Sequence, residues 1–120
     1  MRFSVFLLTA SLGLGLGCAK HAGSYSQQAS TGTADQSAAL VAEADAAWEN
    51  RSDAAQLKAA LVKYEAALDA DSTNRHAAIR LTRGWYWYGD VPEQEDEAKL
   101  AAWHTAVQIG GRCMALNAEF

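Results

Sequence analysis

The sequence predicts an all-α domain of antiparallel helix hairpins stacked on one another. Three observations carry this. Alanine, the strongest helix former, supplies 26 of the 120 residues, and there is one proline. Apolar side chains recur three and four positions apart in four successive runs, the spacing of one helix face. Short clusters of Asp, Ser, Thr, Asn and Gly punctuate those runs, and β-branched runs are few.

The first run covers residues 37–50. Leu40, Ala44, Ala47 and Trp48 fall at i, i+4, i+7 and i+8, and Asp35 or Ser37 can cap it. Arg51-Ser52-Asp53 then turns the chain. Ser52 and Asp53 are both candidate N-caps of the second run, with Gln56 three residues after Asp53 as a variant capping box. That run has the clearest stripe: Leu57, Ala60, Leu61, Tyr64, Ala67 and Leu68, with Lys58, Lys63, Glu65 and Asp69 outside it. Asp71-Ser72-Thr73-Asn74 ends it and starts the third run, whose stripe is Ala78, Leu81, Trp85 and Tyr88. Gly89-Asp90 and Val91-Pro92 stop that helix. Glu93, Glu95, Asp96 and Glu97 open the fourth, where acids complement the helix dipole. Leu100, Trp103, Val107, Gly110 and Met114 are expected to carry its buried stripe, and Gly110-Gly111 marks a kink or the close approach of another helix.

Ahead of these helices lie two segments of different character. Residues 1–17 read as an export signal. Arg2 is the positive end, an apolar run follows, and the uncharged stretch from Phe3 to Cys18 is shorter than the roughly 20 residues a spanning helix needs. Gly17 followed by Cys18 resembles a bacterial lipoprotein signal, with Gly15, between Leu14 and Leu16, at the position where such signals usually carry Leu. The resemblance implies cleavage before Cys18 and acyl chains on it, a lasting membrane anchor at roughly 0.8 kcal/mol per buried methylene. It places the protein in the bacterial envelope, facing the periplasm, and Ala19 after the Cys points to the outer membrane rather than the inner. Residues 18–35 are the lipidated Cys and a Gly/Ser/Gln/Thr/Ala-rich tether, and residues 36–120 the helical domain.

Composition narrows the function classes. Loss of the signal removes Arg2 and leaves nine basic against fourteen acidic residues, a balance with no basic field for nucleic acid. With Cys18 acylated, Cys113 has no partner within the chain, so it is either a small buried hydrophobe or half of an intermolecular disulfide. His21, His76 and His104 show no metal spacing, and residues 93–97 lack the alternating ligands and glycine of a calcium loop. No phosphate loop, Ser/His/Asp set or buried carboxylate pair can be argued, so the chain is expected to be no enzyme and to need no cofactor or metal.

Residues 60–74 carry a further pattern. Ala60, Tyr64, Ala67-Leu68, Asp71 and Asn74 are spaced as in the second helix of a tetratricopeptide repeat, with Ser72 where Pro is usual. Leu81 and Trp85 take first-helix core places in the next unit. Ala106, Cys113, Met114 and Asn117 echo its second helix, with Gly110 in place of the aromatic, so the repeats are degenerate.

Together with the lipoprotein signal, the chain resembles the tetratricopeptide-like T component of tripartite ATP-independent periplasmic (TRAP) transporters. The residues that carry the likeness are Ala47-Trp48-Glu49-Asn50-Arg51-Ser52-Asp53, Leu81-Thr82-Arg83-Gly84-Trp85-Tyr86-Trp87-Tyr88-Gly89-Asp90, and the stretch from Ala106 to Phe120. The family usually runs longer, which makes this a shortened member or a fragment. The resemblance implies a periplasmic lipoprotein scaffold that associates with a substrate-binding protein, and with itself. The other reading is a generic tetratricopeptide lipoprotein of envelope assembly or secretion.

The candidate partner-binding residues are aromatic, because Trp and Tyr dominate binding hot spots. They are Trp48, Tyr64, Trp85, Tyr86, Trp87, Tyr88 and Trp103. Trp85 and Tyr88 share a helix face; Tyr86 and Trp87 point elsewhere, either into a neighbouring repeat or into an exposed groove. Two hairpins of a helical stack bury little, so the domain alone is expected to be marginal, to self-associate, or to need further helices.

Overall fold

In a computed structural model, which describes residues 29–91 and 94–116, four helices account for the regular structure and no strand occurs among the described residues: α1 (Ala34–Trp48), α2 (Ala54–Ala70), α3 (Arg75–Gly89) and α4 (Asp96–Leu116). The export signal, Cys18, His21 and most of the tether lie outside the described residues.

Helix α1 starts three residues earlier than its apolar spacing predicts. Thr33, not Asp35 or Ser37, is the N-cap; it closes a capping box with Gln36, each side chain accepting from the other's backbone N–H. Ser37 is instead buried in the first turn, where its Oγ donates to the Ala67 carbonyl at 2.7 Å. Asp53 caps α2 by accepting from the N–H groups of Ala55 and Gln56, and Asn74 caps α3 by accepting from Ala77. At the far end of α3 the Gln94 amide donates to the Tyr88 carbonyl, satisfying one of the acceptors that a helix C-terminus leaves open.

Contacts across each connection establish that neighbours run antiparallel. Ser37 meets Ala67, Glu43 pairs with Lys63, and Asp45 meets Tyr64 between α1 and α2. Lys58 lies over Trp85 and Tyr88 between α2 and α3. Between α3 and α4, Arg75 donates to the Leu116 carbonyl, and Trp103 donates to that of Tyr86. Packing runs in chain order, α1 on α2, α2 on α3 and α3 on α4.

The core sits between α1, α2 and α3. The α2 stripe is buried throughout, Trp48 and Leu81 close over it, and Leu40, Ala47, Trp85 and Tyr88 pack at its edge. Gly84 sets the spacing between these helices. A Cβ there would collide with Leu61 Cδ2 and lie 3.0 Å from Trp48 Cζ3.

Helix α4 departs from expectation. Its buried residues are Ala102, Ala106, Ile109 and Gly111, while Leu100, Val107 and Met114, assigned to the buried stripe by their size and spacing, are 55%, 63% and 71% exposed. The physical reason is close approach. A Cβ on Gly110 would stand 3.4 Å from Thr82 Cγ2, a separation that Ala and Gly permit and a row of Leu, Val and Met would not.

Candidate functional site

The seven aromatic candidates do not form one patch; the helices sort them into three environments. Trp48 and Tyr64 are core, 2% and 0% exposed, and offer no ring face to a partner. They meet edge to face at 5.9 Å. Tyr64 is anchored further by its hydroxyl, which donates to Asp45 Oδ1, and the same carboxylate oxygen lies 2.9 Å from His76 Nε2. Asp45 thus ties α1 to both α2 and α3. Desolvation pushes its carboxyl up, but hydrogen bonds from His76 and Tyr64 and the charge of Arg80 outweigh that and hold it below the ordinary value of 3.8. Burial, and then the Asp45 carboxylate, raise the Tyr64 phenol above the ordinary 10.0.

Trp85 and Tyr88 form the second group. Their rings meet edge to face at 5.6 Å, and Lys58 Nζ stands 4.2 Å from the Trp85 centroid and 5.1 Å from that of Tyr88. Both are half-buried against the core, and the Trp85 indole N–H is buried with no acceptor among the described residues. They are packing residues.

The third group is open. Tyr86 and Trp87 are 56% and 42% exposed. Trp87 stacks on Trp48 at 5.4 Å, with the Arg51 guanidinium 5.4 Å from both rings. Trp103 crosses from α4, its indole seated on Gly89, where a Cβ would collide with the ring. Between α3 and α4 these three rings line a groove of about 910 Å³, continued by Ile79, Thr82, Ala106, Val107, Gly110 and Met114. Arg83 is its one charged residue. Cys113 lines the inner end, and burial lifts its thiol above the ordinary 9.0 against a weaker opposing pull from Arg75. It is therefore held as a thiol at neutral pH, which is poor nucleophile chemistry.

Ile79, Val107 and Met114 are the groove residues that aromatic counting misses. For Val107 and Met114 the signal lay in the sequence as the apolar row on α4, read there as core; Ile79 lies on α3, outside the stripe assigned to that helix. A second hollow, of about 770 Å³, lies where the turn between α1 and α2 meets the end of α3; Arg51, Ser52, Asp53, Tyr88 and Gln94 line it. No group of three or more His, Cys, Asp or Glu able to hold a metal occurs among the described residues. No described helix is long and apolar enough to cross a membrane.

The geometry therefore defines an all-helical domain with an apolar, aromatic-rimmed groove. No protein-family model matches the chain, and no curated protein or solved structure shows significant similarity to it.

Proposed function

We propose that the protein is a lipid-anchored helical scaffold of the bacterial envelope. Acyl chains on Cys18 hold it at a membrane, and the face of α3 and α4 is its docking surface. The role is that of the T component of a TRAP-type solute transporter, which engages a periplasmic substrate-binding protein. It carries out no catalysis of its own.

The observation that carries the docking reading is the outward display of Tyr86, Trp87, Val107 and Met114 around one groove. Soluble proteins rarely leave so continuous an apolar face without an occupant. Two features support the stacked-repeat reading. The helices pack in chain order, and the small residues Ala60 and Ala67 are buried with Tyr64 in one core cluster. The anchor is supported by the sequence from Arg2 to Cys18.

Metabolic labelling with a radioactive fatty acid tests the anchor. Label should appear on the wild-type chain and vanish in Cys18→Ser. A wild-type chain that takes up no label and fractionates with the cytosol removes this reading. Capture of a periplasmic substrate-binding protein of a TRAP-type system from the same cells tests the surface. Tyr86→Ala should weaken it several-fold with the helical circular dichroism unchanged, because that ring projects from the fold instead of filling it.

A further inference from the structure

The chain enters the domain through a strap. Residues 30–33 fall in the stretch whose composition reads as tether, yet they are bound to the C-terminal end of α2. The N–H groups of Thr31 and Gly32 donate to the Asp69 and Ala70 carbonyls at 2.8 and 3.1 Å, acceptors that a helix C-terminus leaves open. The Thr31 hydroxyl also donates to the Asp69 carbonyl, and the Ser72 N–H donates to Ser30 Oγ. Gly32 lies so close that a Cβ there would stand 3.1 Å from Ala70 Cβ. An anchor at Cys18 therefore pulls on one end of the bundle, where α1 and α3 begin and α2 ends. From Cys18 to Ser30 the chain reaches at most about 40 Å.

The aromatic mouth of the α3–α4 groove is at the opposite end. Trp87 lies twelve residues beyond Arg75 on α3, and Trp103 thirteen before Leu116 on antiparallel α4. Both rings therefore stand about 18–20 Å from the strapped end. That end of the bundle is acidic. Glu49, Asp53, Asp90, Glu95, Asp96 and Glu97 are all exposed there. Against them stand Arg51 and Lys58, each laid over indole rings, and Lys99, 3.9 Å from Asp96. An anionic lipid surface repels this charge, whereas a water-borne protein with Lys or Arg beside an apolar patch complements it.

We propose that the mouth formed by Tyr86, Trp87 and Trp103 is the contact point for a water-soluble protein that presents an apolar knob flanked by Lys and Arg, and that the strap keeps this mouth on the side away from the lipid. The proposal rests on the reading of Cys18 as an anchor and of this face as a docking surface. It adds which end docks and the chemistry of what docks there.

The test uses the full lipidated chain in vesicles of phosphatidylethanolamine and phosphatidylglycerol. Asp35→Cys marks the strapped end and Ser52→Cys the far end, about 20 Å away along α1; both positions are exposed. Each is combined with Cys113→Ser and carries one fluorophore. Energy transfer to acceptor lipids should be several-fold stronger from residue 35 than from residue 52. A second arm measures capture of the substrate-binding protein at low and high salt. The triple variant Glu95→Gln, Asp96→Asn, Glu97→Gln should weaken capture about tenfold at low salt and little at high salt, with the helical circular dichroism unchanged.

A chain that floats with the vesicles but transfers equally from both sites lies on its side, which overturns the proposal and leaves the scaffold reading standing. Capture indifferent to salt and to the triple change does the same. A chain that does not float removes the anchor and this proposal together, and a wild-type chain that captures nothing takes the docking surface down as well.

Discussion

The junction of α1, α2 and α3 and the outer face of α3 and α4 are made of similar residues used in opposite ways. At the junction, large side chains point inward and the polar side chains of Ser37, Asn74, Asp45 and Tyr64 have partners, while the Trp85 indole N–H at its edge has none among the described residues. Ser37 donates to Ala67 and accepts from the Asn74 amide at 2.7 Å, while Asn74 also caps α3. Asp45 receives Tyr64 and faces His76. On the outer face, small residues do the packing and large ones are displayed. The contrast teaches that side-chain size alone does not locate a core. A buried position is one where a neighbour's surface leaves room, and in α4 the room was for Ala and Gly.

That contrast can be broken most forcefully at Leu61. Leu61→Ala opens a cavity among Trp48, Gly84 and the α2 stripe and should cost about 3 kcal/mol in urea unfolding. A loss under about 1 kcal/mol would mean that the junction is loosely packed and that the two regions differ less than the geometry implies.

Ser37→Ala is the next largest. The Ala67 carbonyl keeps the Asp71 N–H, but the Asn74 amide loses its acceptor, which should lower stability by about 1–2 kcal/mol. Asn74→Ala should cost a similar amount through loss of the α3 cap. Because both changes disable one network, the double mutant should fall short of the sum.

The pH dependence sharpens the comparison, since the Asp45–Tyr64 hydrogen bond joins two titrating groups at the junction. Asp45 titrates lower folded than unfolded, so its stabilisation is present above the ordinary carboxylate value of 3.8 and is lost as pH falls below it. Tyr64 titrates higher folded than unfolded, so its contribution is full below 10.0 and is lost as pH rises beyond that. Asp45→Asn should flatten the acid limb of a stability–pH curve, and Tyr64→Phe the alkaline limb. The acid effect should be the smaller of the two, because Asp45 is partly open to solvent and screened.

The smallest effect is expected at Met114. Met114→Ser in the single chain should change stability by less than about 0.5 kcal/mol, since the side chain is 71% exposed. A larger loss in dilute solution would show that this face packs against something within the chain.

The helices and most of their ends were legible from the residues alone, because a helix face and a cap are local properties. Leu57 to Leu68 repeat with the helical period, and Asp53 and Asn74 can accept from the N–H groups just ahead of them, whatever surrounds them. The clear contrast of Leu and Tyr against Lys and Glu made the buried face of α2 readable without its neighbours. What only the tertiary structure decided was which face of α4 turns inward, and how four consecutive aromatic residues divide. An Ala-rich helix has little contrast between its faces, so the shape of α3 chose. Gly89 and Thr82 admitted Trp103 and Gly110, Lys58 drew Trp85 and Tyr88 to one side, and Trp48 took Trp87 on the other. Those choices depend on residues distant in the chain, and no local period encodes them.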